Sequence, residues 1–391
     1  MYIKRFADKK IAATLNKSKK VLLILGARQV GKTTSINNFL SDKNTVYLNF
    51  DVTVDKSRFL AASTLSPTEA FKYLGAPDYL IIDEAQREIS TGKIVKGWYD
   101  SQLPMRIVLL GSSSLDLLNQ SAESLTGRNE KIILPPLLFE EIIRNQNWFD
   151  KNFTNELLLK NFSAQIKTIL MQSLVFGNYP EIVLAQNKNT QLLNLANDYL
   201  FKDVLQLGLL KSPEQINRLL TLLAHQIGSE ISVNELANTL DISRITVEKY
   251  LDILEQTFVI FQLKSFSTNP RKEIAKGKKI YFYDTGIRNA LLKEFSLDEM
   301  RSDIDALWEN WAIAEFMKKN LLTDQLDSLY FWRTRSQSEV DLVVKGQNKL
   351  AAYEIKWNKI AKPIRAFEEQ YKTPTQTVTS TNPFVGPILD F

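Results

Sequence analysis

The chain has 391 residues, of which 44% are hydrophobic and 24% charged, and its formal net charge is +5. This is the composition of a folded protein long enough for two or three domains, and it excludes a disordered chain. With no cysteine and one histidine, disulfides, thiolate chemistry and multi-histidine metal centres are also excluded, so any metal must rest on oxygen ligands. In chain order, short β-rich apolar runs alternate with helical stretches: VLLIL (21 to 25), VYLNF (46 to 50), YLIID (79 to 83), RIVLLG (106 to 111) and KIIL (131 to 134). Near-continuous apolar strands are expected when helices cover both faces of a parallel sheet, so residues 1–138 read as an α/β domain. After Pro135 and Pro136 the β pattern stops, and 139–212 read as a helical lid or connector broken near GNYPE (177 to 181). From 213 to 285, SVNELANTLDIS and RITVEKYLDILEQ predict a helix-turn-helix with a capping-box pattern at Ser232 and Glu235. The runs FVIFQLKSF and KKIYFYD bracket a basic segment and make the unit look winged. Helices near 286–320, then strands at 329–333, 339–344 and 350–356, predict a last α/β module over 286–391.

The segment GARQVGKTT (26 to 34) contains G-x-x-x-x-G-K-T after a strand and before a helix, the context a phosphate loop requires. Its residues Gly26, Ala27, Arg28, Gln29, Val30, Gly31, Lys32, Thr33 and Thr34 are expected to cradle the phosphates of ATP with inward-turned amides and the amino end of the helix. Lys32 would contact the outer phosphates, and Thr33 would offer its hydroxyl to magnesium. About fifty residues on, YLIIDEAQ ends an apolar strand in two carboxylates. Asp83 is expected in the magnesium shell, and Glu84 would orient or deprotonate the attacking water. RIVLLG delivers Ser112, Ser113 and Ser114 to the same carboxyl edge, with Ser112 the candidate sensor of the terminal phosphate. Arg128 precedes the fifth strand and would stabilise charge on the transferring phosphate, in cis or from a neighbouring subunit of a homo-oligomer; a solvated surface arginine is the plain alternative.

In the order GARQVGKTT, LIIDEAQ, LLGSSSLDLL, SLTGR and LPPLLFEE, then GNYPE, YLFKDV and YEIKW, the chain resembles the prokaryotic AAA-type P-loop ATPases that carry a carboxyl-terminal domain of unknown function. The resemblance implies ATP binding by an AAA-like domain in the first half. For the second half it implies a winged helix and a fold similar to restriction endonucleases.

A nuclease of the restriction-endonuclease type needs two carboxylates on magnesium and a lysine to position the water nucleophile. Asp341 in SEVDLVV (338 to 344) and Glu354 and Lys356 in YEIKW (353 to 357) match that pattern, with Glu354 and Lys356 on one face of their strand. Glu309, in WENWAIAEF (308 to 316), matches the further acidic residue of Holliday-junction-resolving members of this fold. A strand whose polar face is simply wet would show the same letters.

Between Lys264 and Lys279 there are six basic residues and one acidic residue, a wing suited to lying along phosphates. Arg271, Lys272, Lys278 and Lys279 are the expected DNA contacts there, joined by Arg244 and Lys249 on the recognition-type helix. On that helix Glu248, Asp252 and Glu255 would repel a DNA backbone if they faced it. No apolar run approaches the ~20 residues that cross a bilayer, and MYIKRFADKK lacks the apolar centre of a signal peptide, so the expected address is the cytoplasm with no membrane partner. The expectation is a magnesium-dependent ATPase acting on DNA with a possible nuclease activity. The alternative is an ATP-switched DNA-binding or regulatory protein whose nuclease-like domain is inactive.

Overall fold

The structure is a computed structural model that describes every residue except 1, 113–124, 207–212, 268–276, 324–326, 335, 337 and 387–391. It divides into two compact units, residues 1–135 and 136–389.

In the first unit, α1 (Phe6–Lys17) leads into β1 (Val21–Leu25), followed by α2 (Lys32–Leu40), β2 (Thr45–Asn49), α3 (Thr53–Ser63) and α4 (Pro67–Tyr73). Then come β3 (Tyr79–Asp83), α5 (Thr91–Asp100), β4 (Arg106–Gly111) and β5 (Asn129–Ile133). All five strands run parallel in the order β2-β3-β4-β1-β5. Every side chain of β1 is buried, as a central strand covered on both faces demands. Because β4 lies between β1 and β3, its carboxyl end stands between the loop after β1 and the carboxylates after β3.

The second unit begins with helices α6 (Phe139–Arg144), α7 (Asn155–Phe176), α8 (Pro180–Leu184), α9 (Lys188–Gln206) and α10 (Pro213–His225). Next are β6 (Glu230–Ile231), α11 (Val233–Leu240), α12 (Arg244–Gln256), β7 (Ile260–Ser265), β8 (Lys278–Phe282), α13 (Thr285–Leu292) and α14 (Ile304–Leu322). The unit closes with β9 (Ser328–Arg333), β10 (Glu339–Lys345), β11 (Leu350–Lys356), α15 (Arg365–Tyr371) and β12 (Thr375–Thr379). Ser232 caps α11 by accepting the Glu235 N–H at 3.3 Å. All seven strands form one sheet, β12-β11-β10-β9-β7-β8-β6, with β7 and β9 paired in parallel through Lys264↔Tyr330 and Ser265↔Phe331. Against β9, the register of β10 shifts between Val340 and Val343. A bulge there re-aims Asp341 while Val340 and Val343 both stay in the core with Trp332, Ala352 and Phe367.

A buried polar knot sets the start of this unit. Asp284 caps α13 by accepting the N–H groups of Gly286 and Ile287, and it also takes the Asn178 N–H at 2.6 Å. Gly177 sits at φ 74°, and a Cβ there would lie 1.8 Å from Asp284 Oδ1, so only glycine fits. The GNYPE break between α7 and α8 is therefore a docking point for this carboxylate.

Candidate functional site

The loop from Gly26 to Gly31 joins the carboxyl end of β1 to α2. Gly31 takes the left-handed conformation (φ 94°) as it enters the helix, and a Cβ on Gly26 would strike the Leu134 carbonyl oxygen at 2.2 Å. Arg5, buried beneath the loop, donates to the Val30 carbonyl at 2.9 Å and to that of Pro135 at 2.7 Å, so α1 braces the loop from behind. Lys32 is only 6% exposed and its Nζ donates to the carbonyls of Gly26 and Ala27, each at 2.8 Å. The ammonium is thereby held inside the loop. Ala27 and Val30 are buried, Arg28 is half-buried, and Gln29 and Thr34 are exposed.

Asp83, at the end of β3, accepts the Thr33 hydroxyl on Oδ2 at 2.8 Å and the Glu84 N–H on Oδ1 at 2.9 Å. The Tyr47 hydroxyl, from the neighbouring strand β2, also donates to Asp83 Oδ2. Burial and the adjoining Asp83 raise the Tyr47 hydroxyl pKa, which keeps it a proton donor. A hydroxyl beside a carboxylate is an oxygen donor set of the kind that suits a small hard cation. Glu84 adopts left-handed backbone angles (φ 52°), unusual for a residue with a side chain. Its Oε2 accepts from Gln86 Nε2 at 2.5 Å and lies 3.9 Å from Arg28 Nη2. Gln86 Nε2 also donates to Ser112 Oγ at 3.1 Å, so Ser112 joins this cluster at the end of β4. Ser113 and Ser114 lie outside the described residues.

Arg128 is elsewhere. Its backbone carbonyl accepts the Val21 N–H at 2.9 Å, at the amino end of β1, and its side chain pairs with Asp100 at 2.7 Å. The length of the strand separates it from the phosphate loop by roughly 16 Å at about 3.3 Å per residue, which rules out the expected role in cis.

In the second unit, Asp341 and Glu354 converge on one ammonium. Lys356 Nζ lies 2.9 Å from Asp341 Oδ2 and 3.3 Å from Glu354 Oε2, and the Ile355 N–H donates to Asp341 Oδ2 at 2.8 Å. Burial, with the neighbouring Asp341 charge, pushes Glu354 up to about 7 against the opposing pull of Lys356. Glu354 Oε1 is buried and accepts no hydrogen bond. Glu309 approaches from α14 but is taken by other partners: Tyr281 donates to its Oε1 at 2.7 Å, and Lys279 stands at 3.5 Å. Burial raises Glu309 to about 7, opposed first by Lys279. Among the described residues no three histidine or acidic side chains come together as a metal-ligand set, so Glu309 does not complete the expected cluster.

Lys279 also corrects the expected wing. It is 2% exposed, and it pairs with Glu339 as well as Glu309 instead of reaching solvent. Alternation along β8 explains this, since adjacent residues face opposite sides of the sheet and Lys278 is the half-exposed one. Arg244 and Lys249 are exposed on α12, with Arg244 paired to Glu248 at 3.2 Å. Arg271 and Lys272 lie outside the described residues. Arg5, Tyr47 and Tyr281 join these clusters from outside any functional motif, while Gln86 and Glu339 stand within YLIIDEAQ and SEVDLVV with no role assigned to them there. Among the described residues no helix is long and apolar enough to cross a membrane.

Residues 18–143 match the family described as AAA domain, residues 167–298 the domain of unknown function DUF8612, and residues 305–384 the domain of unknown function DUF4143. Uncharacterized proteins of Mycobacterium tuberculosis and Mycobacterium bovis are each 30% identical over 344 residues, which cover 86% of this chain and 70% of theirs. An uncharacterized protein of Methanocaldococcus jannaschii is 27% identical over 375 residues, covering 90% of this chain and 79% of that protein. Among solved structures, a Walker-type ATPase of Pyrococcus abyssi aligns with a TM-score of 0.49 at 17% identity, over 74% of this chain and 96% of that one. The chain thus belongs to the same family as the mycobacterial proteins, and it is a P-loop ATPase whose AAA domain spans residues 18–143.

Proposed function

We propose that the first unit hydrolyses ATP with magnesium, and that Thr33 and Asp83 hold the ion. The observation that carries this is the 2.8 Å bond from the Thr33 hydroxyl to Asp83, which joins two motifs fifty residues apart. When bound, magnesium neutralises charge on the outer phosphates. Lys32 supplies the mobile positive partner of those phosphates, Ser112 senses the terminal one, and Glu84 orients the attacking water and accepts its proton. Arg128, half-exposed on Asp100, is kept only for a neighbouring copy in a homo-oligomer. Glu84→Gln is expected to bind ATP as the wild type does while turning over at least about 100-fold more slowly. Wild-type turnover in that variant, or hydrolysis indifferent to magnesium removal, sinks the assignment.

The second unit is read as the part that engages DNA. Residues 139–212 serve as connector, 213–285 as winged helix and 286–391 as a restriction-endonuclease-like module. Support comes from the α11-turn-α12 pair beside β7 and β8, with Arg244 and Lys249 exposed, and from the charge of the segment around Lys278. A cleavage activity is the second reading, favoured by the convergence of Asp341 and Glu354 on Lys356. Magnesium would rest on those two carboxylates, with the buried, unpaired Glu354 Oε1 as an available donor. Magnesium-dependent nicking of plasmid or branched DNA by the full chain, lost in Asp341→Ala, supports it. Equal nicking by that variant, or none by the wild type, leaves the alternative of a DNA-binding ATPase with an inactive module.

A further inference from the structure

Gln86, the last residue of YLIIDEAQ, makes contacts of 3.1 Å and 2.5 Å that form a bridge between two site residues. Glu84 follows β3 in left-handed backbone angles and the chain then turns tightly through residues 85–87, which brings the Glu84 and Gln86 side chains into contact. Strand β4 runs beside β3 in parallel register, Ile82 opposite Leu109, so Ser112 arrives next to the same turn. Gln86 Nε2 donates to Glu84 Oε2 at 2.5 Å and to Ser112 Oγ at 3.1 Å. The orientation of this amide is fixed by chemistry, since an ionised carboxylate only accepts and so must face the nitrogen. Gln86 Oε1 is buried and accepts no hydrogen bond from the protein, so replacing the amide by an apolar group of the same length removes only the two bonds in question.

We propose that Gln86 is a positioning residue that ties the carboxylate of Glu84 to Ser112, so that the pose of Glu84 follows the carboxyl end of β4. The inference rests on the assignment of Glu84 as the water-orienting base and of Ser112 as the phosphate sensor. A hydrogen bond to an ionised group is among the strong ones, and a carboxylate freed from it can leave the pose in which it meets water. The bridge also gives Ser112 an influence on turnover beyond its own contact with nucleotide. Removal of Gln86 therefore lowers kcat and leaves KM for ATP nearly unchanged. The costs of Gln86 and Ser112 do not add.

The test is steady-state ATP hydrolysis by the full chain, with nucleotide affinity measured in parallel, for Gln86→Met, Ser112→Ala, their double variant and Glu84→Gln. Gln86→Met is expected to lower kcat about tenfold or more with KM within about twofold, and Ser112→Ala to cost several-fold less in the Gln86→Met background than in the wild type, keeping only the part due to its own contact with nucleotide. Gln86→Asn, whose shorter side chain cannot span both partners, should behave like Gln86→Met. If Glu84→Gln itself turns over normally, the assignment of the base is wrong and the bridge falls with it. If Glu84→Gln is slow yet Gln86→Met keeps wild-type kcat, or if the Gln86 and Ser112 costs multiply, the base stands and the bridge alone is overturned.

Discussion

Glu315 and Lys318 on α14 form a buried ion pair on which the entry to the second unit depends. Glu315 is 1% exposed and Lys318 is 2% exposed. Glu315 pairs with Lys318, accepts the Phe139 N–H at 3.0 Å at the start of α6, and accepts from Asn178 Nδ2 at 3.4 Å. Lys318 also donates to the Leu137 carbonyl at 2.9 Å. Glu315→Ala leaves a buried ammonium without its anion and a helix-start N–H without its acceptor. Breaking one partner of a buried pair costs about 3–5 kcal/mol, because the surviving charge cannot be resolvated. For a unit of this size each kcal/mol lowers Tm by roughly 2–4 °C, so a fall of roughly 6–20 °C is expected. The assay is thermal and urea unfolding of the full chain followed by circular dichroism. The double variant Glu315→Leu with Lys318→Met removes both charges and should regain much of the loss, since a buried pair is seldom superior to apolar side chains of similar size. A single variant within about 1 kcal/mol of wild type, or a double variant less stable than the single, refutes the reasoning.

Lys32→Ala is expected to abolish turnover and weaken ATP binding at least about tenfold by calorimetry, because the triphosphate loses its one lysine partner in the loop; wild-type affinity would contradict this. Asp284 is raised from 3.8 to about 6 by burial, against the hydrogen bonds of Asn178, Ile287 and Gly286 and the charge of Lys318. A raised folded-state pKa means that its contribution to stability is fully present below about pH 4 and lost as pH rises through about 6. The stability of the wild type relative to Asp284→Asn should therefore fall by on the order of 2–3 kcal/mol across that window in urea titrations, and a flat difference would contradict the shift. Lys279→Met should lower stability by about 3 kcal/mol or more through Glu309 and Glu339, yet leave the salt slope of any DNA binding unchanged; a slope lower by about one unit would restore Lys279 as a phosphate contact.

The sequence carries the strands that are buried on both faces. VLLIL, YLIID and RIVLLG become β1, β3 and β4 at their expected bounds, because burial on both faces leaves an unbroken apolar run. By contrast β12 (Thr375–Thr379) is four-fifths Thr and Gln, lies at the edge of its sheet and shows no apolar alternation to detect. The phosphate loop and Asp83–Glu84 are legible as local motifs. Tyr47 is not, since it reaches Asp83 through the pairing of β2 with β3; Gln86 ends the motif YLIIDEAQ, but its contact with Ser112 comes only from the pairing of β3 with β4. Lys279 was hidden by its neighbours: a run of basic letters reads as one charged surface, while the pleat of β8 turns Lys278 and Lys279 to opposite faces.

That turn of the pleat has a consequence for how the second unit can be dissected. Lys279 comes from β8, within the stretch read as a winged helix, while Glu309 and Glu339 come from α14 and β10, within the stretch read as a nuclease-like module. The two stretches also share one sheet through the parallel pairing of β7 with β9. Their charge cluster is therefore common property: Lys356 serves Asp341 and Glu354, and Lys279 serves Glu309 and Glu339. A fragment beginning at residue 286 would lose the ammonium that holds Glu309 and Glu339, together with β7, one of the two strands paired with β9. Uncompensated carboxylates in so small a space repel one another, take up protons and bind any available cation in place of the lost lysine. Cleavage by such a fragment, or its failure to cleave, would report on an altered site, so the nuclease-like chemistry can be judged only on a chain that retains β8.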